Sequence, residues 1–184
     1  KSFNIEGLIV SGLMKLGAEV SFFDERPFNS TWGKLILRLF PKLVTTKIDD
    51  HFKGILDASE KQRPDYWFFI RGELIPKWFI GEIRNRNPSA RLYYYTADSM
   101  ANNPSARHKV QWFDSSFTFD PLDSYKLKMQ YLPLFYSPEL EKNRLSWKSR
   151  KYDLSFLGTL HSDRQLVVSK LLKEVSKKAK TFVF

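Results

Sequence analysis

Cysteine is absent from all 184 residues. That removes disulfides and thiolate-held metals, and it fits a reducing compartment. Histidine is scarce: His51, His108 and His161 lie far apart, so no zinc site and no metal cofactor is expected. No run of 18 apolar residues occurs, so nothing reads as a bilayer-spanning helix, and the opening residues do not read as a signal peptide. There is no Walker loop, no G-x-S-x-G, no G-x-G-x-x-G, no internal repeat and no low-complexity tract.

What is there points to a folded α/β protein. Hydrophobic residues make up 42% and aromatics 16%, enough for one well-buried domain and the start of another. The net charge of +10 is uneven: residues 142–180 hold eleven Lys or Arg against three acids. Such a surplus attracts nucleic acid, anionic lipid or phosphorylated ligands, or simply solvates a helix face.

The chain is organised around Asp65–Gly72 (DYWFFIRG). Tyr66 to Ile70 are apolar or aromatic without alternation, which predicts a strand buried on both faces of a parallel sheet. Ligands bind at the carboxyl ends of such strands, where Arg71 and Gly72 stand. Upstream, Ile5, Leu8, Ile9, Leu13 and Leu16 mark a helix stopped by Gly17, and Ala18–Asp24 reads as a short strand ending in acid. This is the second half of a βαβ unit, so the chain is expected to begin one strand late. A basic amphipathic helix is expected to follow to about Phe40; residues 32–43 could lie on an anionic membrane surface or pack as a core face. Ile48, Phe52, Ile55 and Leu56 mark another helix.

Beyond Gly72, a helix from about Glu73 with Pro76 in its first turn leads to a strand at Arg91–Thr96. Asn102–Ser105 reads as a polar loop, and the following segment with His108 as exposed. Strands are expected at Trp112–Phe119 and Met129–Leu134, with Asp120 capping a short helix between them. The pattern then restarts: a strand at Tyr152–Leu157, a loop, a capping box at Ser162–Gln165, a helix with Val168, Leu171, Leu172 and Val175 inward, and a strand from Thr181. The expected fold is a Rossmann-like doubly wound parallel sheet over residues 1–140, a linker at 141–151, and the first βα unit of a second domain over 152–184.

Parallel strands would gather Arg71, Gly72, Glu73, Asp98, Ser99, Asp120, Gly158 and Thr159 along strand ends. Asp98 or Glu73 could act as general base toward a hydroxyl, or could be ordinary cap and turn residues. The Gly158–Thr159 loop before a helix N-terminus, with His161 and Arg164 beside it, could hold an anion.

Five segments, FFIRGE (68–73), YYTADS (94–99), FTFDP (117–121), LPLFYSP (132–138) and DLSFLGT (153–159), occur in this order. Together they resemble the CgeB-like glycosyltransferases of spore maturation and of capsular or lipopolysaccharide biosynthesis, which have the GT-B fold. The resemblance runs from about residue 65 to 164. It implies two Rossmann-like domains facing a cleft, a nucleotide-sugar as donor substrate, no cofactor, and a glycan or lipid-linked acceptor. Carried over, Arg71, Glu73, Asp98 and Asp120 would line the acceptor side, with Gly72 and Ser99 beside them and Asp98 and Glu73 as the catalytic candidates. Gly158, Thr159, His161 and Arg164 would meet the donor phosphates. Nearly all of the donor domain is missing from the sequence, so the chain alone is expected to be inactive. The implied location is cytoplasmic, peripheral at the inner membrane face.

Two other readings carry weight. A flavodoxin-like or receiver-like binding module without catalysis would share the fold. Nucleic-acid binding through the basic C-terminal part would use Trp147 and Tyr152 for stacking. The aromatics mostly read as core, so nucleic acid is not an expected partner.

Overall fold

The computed structural model describes residues 5–27, 41–136, 146–158, 163–175 and 178–183. The chain divides into two compact units, Lys1–Phe135 and Tyr136–Phe184. In the first, helix α1 (Ile5–Lys15) ends as its glycine foretells. Gly17 takes φ +89°, its N–H donates to Met14 O at 3.0 Å, and Ala18 N–H donates to Leu13 O at 3.1 Å. These are the paired bonds of a left-handed helix stop. The predicted strand at Ala18–Asp24 is not one, because no neighbouring strand among the described residues offers it a ladder. Ser21 Oγ instead donates to Gln62 Oε1 at 2.9 Å.

Helix α2 (Pro41–Glu60) opens on a proline, whose missing N–H costs nothing in a first turn. The amphipathic helix predicted before it falls on residues 28–40, outside the described residues. Four parallel strands follow in the order β1-β2-β3-β4: β1 (Tyr66–Ile70), β2 (Arg91–Thr96), β3 (Ser115–Thr118) and β4 (Gln130–Tyr131). Helix α3 (Lys77–Arg86) joins β1 to β2, a 3-10 stretch (Pro104–Trp112) joins β2 to β3, and α4 (Pro121–Leu127) joins β3 to β4. The mixed α/β, Rossmann-like expectation therefore holds. Pro76 sits just before α3 rather than inside its first turn. The last two strands are shorter than expected because the 3-10 stretch takes Trp112, and β4 pairs over only two residues.

The core lies on one face of this sheet. Strand side chains alternate, so Trp67 and Phe69 of β1 face the same way as Leu92 and Tyr94 of β2. Phe79 of α3, 1% exposed, meets them edge-on, with ring centroids 5.8 Å from Trp67, 6.4 Å from Phe69 and 4.8 Å from Phe52 of α2. The other face corrects the expectation of a β1 buried on both sides: Tyr66 is 65% exposed and Phe68 39%. Their cover comes from neighbouring rings, Tyr66 stacking on Tyr93 and Phe68 on Tyr95.

The second unit is one βαβ element. Strand β5 (Leu154–Phe156) and β6 (Thr181–Val183) pair in parallel around helix α5 (Arg164–Val175). Asp153 ties its ends, its N–H donating to Lys180 O at 2.9 Å and its carboxylate accepting from Lys180 N–H at 2.7 Å. Leu171, expected inward, is exposed, while Val168, Leu172 and Val175 are half-buried. The predicted capping box begins at Ser162, outside the described residues. Among the described residues no helix is long and apolar enough to cross a membrane.

Candidate functional site

Because β1 and β2 are parallel and in register, Arg71 and Asp98 both come just past the same sheet edge. Arg71 N–H continues the ladder to Tyr95 O at 2.9 Å, and the chain then turns through two left-handed residues, Arg71 (φ +70°) and Gly72 (φ +64°). A non-glycine residue held at such φ is a strained position that its surroundings must impose. Gly72 is required twice over. A Cβ there would lie 2.9 Å from the Tyr94 ring and 3.0 Å from Ile75, in a conformation that L side chains resist.

Two side chains reach in to hold this loop. The Tyr94 hydroxyl donates to Arg71 O at 2.7 Å, and burial pushes its phenol well above the usual range. Lys109 Nζ donates to the carbonyl oxygens of Gly72 (2.9 Å), Glu73 (2.6 Å) and Ile75 (3.4 Å). Its three N–H bonds thus find three acceptors, which is what a buried ammonium needs. Burial lowers its pKa, while Glu25 and Glu73 oppose the shift. The segment around Lys109 was expected to be exposed. A 3-10 turn repeats every three residues, so it turns Ala106 and Lys109 inward together, at 1% and 7% exposure. His108, by contrast, is exposed, set edge-on to Trp112 with centroids 5.4 Å apart.

On this scaffold the charged groups face one another. Arg71 Nε lies 3.6 Å from Asp98 Oδ2, and an Arg26 guanidinium nitrogen lies 3.1 Å from Glu73 Oε2. Thr96 Oγ1 fixes the Asp98 backbone, accepting from its N–H at 3.1 Å and donating to its C=O at 2.7 Å. The segment bringing Arg26 also brings Glu25, half-buried, and is anchored through Asp24, whose carbonyl accepts from His51 Nε2 at 2.7 Å. His51 is thus a half-buried tether rather than a simple surface residue. Glu25 was missed from the sequence. Burial first, then the charge of Glu73, pushes its carboxyl up to about 7, against the pull of Arg26 and Lys109.

The rim continues along β2 and β3 with a different character. Asp120 caps α4, accepting from Leu122 N–H at 2.8 Å and Asp123 N–H at 3.4 Å. The Ser99 hydroxyl, and then these N–H groups, hold its carboxyl below the usual carboxylate range. Asp123 is buried and accepts from Met100 N–H at 2.6 Å, and it shares with Asp120 the single hydroxyl of Ser99, 3.3 Å away. The structure therefore brings Arg71, Gly72, Glu73 and Asp98 together, adds Ser99 and Asp120 further along, and contributes Glu25, Arg26 and Lys109.

In the second unit Gly158 follows β5, and Arg164 opens α5 with its side chain exposed. Thr159 and His161 lie outside the described residues. Among the described residues no group of three or more His, Cys, Asp or Glu could hold a metal. A hollow of about 90 Å³ lies at the end of β1 opposite this rim, beside Pro64 and Trp67. Comparison with protein-family models, with curated proteins and with solved structures finds no match for this chain.

Proposed function

We propose that this chain is the acceptor-side part of a GT-B glycosyltransferase, joined to the first βαβ element of its nucleotide-sugar-binding part. The observation that supports it most is the group at the ends of β1 and β2. Arg71, Asp98, Arg26 and Glu73 are side chains in open ion pairs, 30–47% exposed. Pairs in that setting are worth little by themselves, so a ligand with hydroxyls and charge can replace them at small cost. Asp98 and Glu73 would accept hydrogen bonds from an acceptor glycan's hydroxyls, with Arg71, Gly72, Ser99 and Asp120 beside them on the rim. Gly158, Thr159, His161 and Arg164 would meet the diphosphate of a nucleotide-sugar, whose departure cations and a helix N-terminus favour.

The basic surplus suits a phosphate-bearing donor and, through residues 32–43, an anionic membrane face. In this reading the protein works in the cytoplasm, peripheral at the inner membrane. The test, made on the full-length protein, is release of nucleoside diphosphate from a panel of nucleotide-sugars offered with glycan or lipid-linked acceptors. Asp98→Ala should lower turnover about 10-fold or more, the effect of losing a hydrogen bond to a charged group. Donor bound without any release would favour a flavodoxin-like or receiver-like binding module instead.

A further inference from the structure

Among the described residues, three cations surround the ends of β1 and β2, and each has its partners. Arg71 faces Asp98, Arg26 faces Glu73, and Lys109 gives its three N–H bonds to backbone carbonyls. Glu25 is the carboxyl left over, in no ion pair among the described residues. It is nonetheless well placed. Just before it, Asp24 is pinned by His51 and accepts from Arg26 N–H at 3.1 Å through its carboxylate; just after it, Arg26 is tied to Glu73 across 47 residues. The charged and titratable groups around it are Asp24 and Arg26 of its own segment, Glu73 of the loop after β1, Lys109 of the 3-10 stretch and Tyr94 of β2.

We propose that Glu25 is the proton acceptor of this site, taking the proton from the acceptor hydroxyl as that oxygen bonds to the anomeric carbon of the donor sugar. This rests on the glycosyl-transfer reading above. In the step, the new C–O bond forms while the bond from the anomeric carbon to the diphosphate oxygen breaks. Its electron pair leaves with the diphosphate, and the hydroxyl proton moves to the Glu25 carboxylate. Asp98 and Glu73 already have oxygens directed at guanidinium groups, whereas Glu25 has none so engaged among the described residues. Its half-buried setting and the nearby charge of Glu73 also place its titration near neutral pH, where a general base works best.

Two measurements on the full-length protein test this. Carboxyl ¹³C NMR, with Glu25 assigned by its loss in Glu25→Gln, should show titration near pH 7, moving lower in Glu73→Gln. A midpoint near 4.5, or one indifferent to Glu73→Gln, overturns the proposal. The pH–rate profile of transfer should rise through pH 7 in the wild type. In Glu25→Gln kcat should fall on the order of 100-fold, with KM little changed and that limb lost. If Glu25→Gln does not fold, Glu73→Gln keeps the test alive, because its rate limb should shift to lower pH. Wild-type turnover with an unaltered profile in these variants overturns the role of Glu25 alone. A wild-type protein that turns over no nucleotide-sugar, although Glu25 titrates near 7, overturns the glycosyl-transfer reading and this role with it.

Discussion

The two halves of the rim carry the same residue types at equivalent places, just past parallel strands, and use them differently. At the end of β3, Asp120 and the nearby Asp123 spend their oxygens on backbone N–H groups of α4 and of the chain after β2. At the ends of β1 and β2, Asp98 and Glu73 meet guanidinium groups, and the backbone there is held by other means: Tyr94, Thr96 and Lys109. An acid that closes a backbone valence holds the fold. An acid whose backbone is held by its neighbours keeps its oxygens for other side chains. Position after a strand does not separate the two cases; the hydrogen-bond partner does.

That contrast can be broken by substitution. The largest effect is expected for Lys109→Met, which leaves three carbonyls without their shared donor and should cost about 3 kcal/mol, read by urea unfolding. Gly72→Ala comes next, at about 2–3 kcal/mol, since the new Cβ meets Tyr94 and Ile75 at positive φ. Asp123→Ala should cost about 2 kcal/mol by leaving Met100 N–H unpaired in a buried place. Asp98→Ala, on the other half of the rim, should change stability by less than about 1 kcal/mol while lowering turnover. A stability loss for Asp98→Ala equal to that for Asp123→Ala would erase the distinction.

The pH dependence sharpens the same comparison. Glu25 has its folded-state pKa raised to about 7 from 4.5, so the folded protein binds the extra proton between those values. The contribution is fully present below pH 4.5 and is lost as pH rises toward and through 7. Wild type should therefore lose stability across that window, on the order of 1–2 kcal/mol after allowing for its partial exposure, and Glu25→Gln should not. Thermal melts at pH 5 and 8 read this directly. Asp120 titrates in the opposite sense: its folded pKa is depressed, so its contribution is present above the ordinary carboxylate pKa and fades as pH falls through the folded value.

Much of this was legible in the sequence because it depends on local pattern. The alternation of helices and apolar runs gave parallel strands, and the polar residues closing each run, Arg71, Asp98 and Asp120, fell on one rim. Asp120-Pro121 announced a capped helix. Three features were hidden for physical reasons. The run Tyr66–Ile70 cannot tell cover by helices from cover by stacked rings, so the exposure of Tyr66 and Phe68 was unforeseen. Lys109 looked like one more surface cation because a helical period of 3.6 conceals the threefold repeat that buries it. Glu25 acquires its character only on burial, near the charge of Glu73, and the neighbouring Arg26–Glu73 contact joins positions 47 residues apart. No local reading could place it.

The most direct test of the divided rim is to compare Asp98→Ala with Asp123→Ala in the full-length protein, in paired measurements of melting temperature and nucleotide-sugar turnover. Asp98→Ala should melt with the wild type yet lose activity about 10-fold or more, and Asp123→Ala should melt several degrees lower. Full activity in a stably folded Asp98→Ala protein would contradict it.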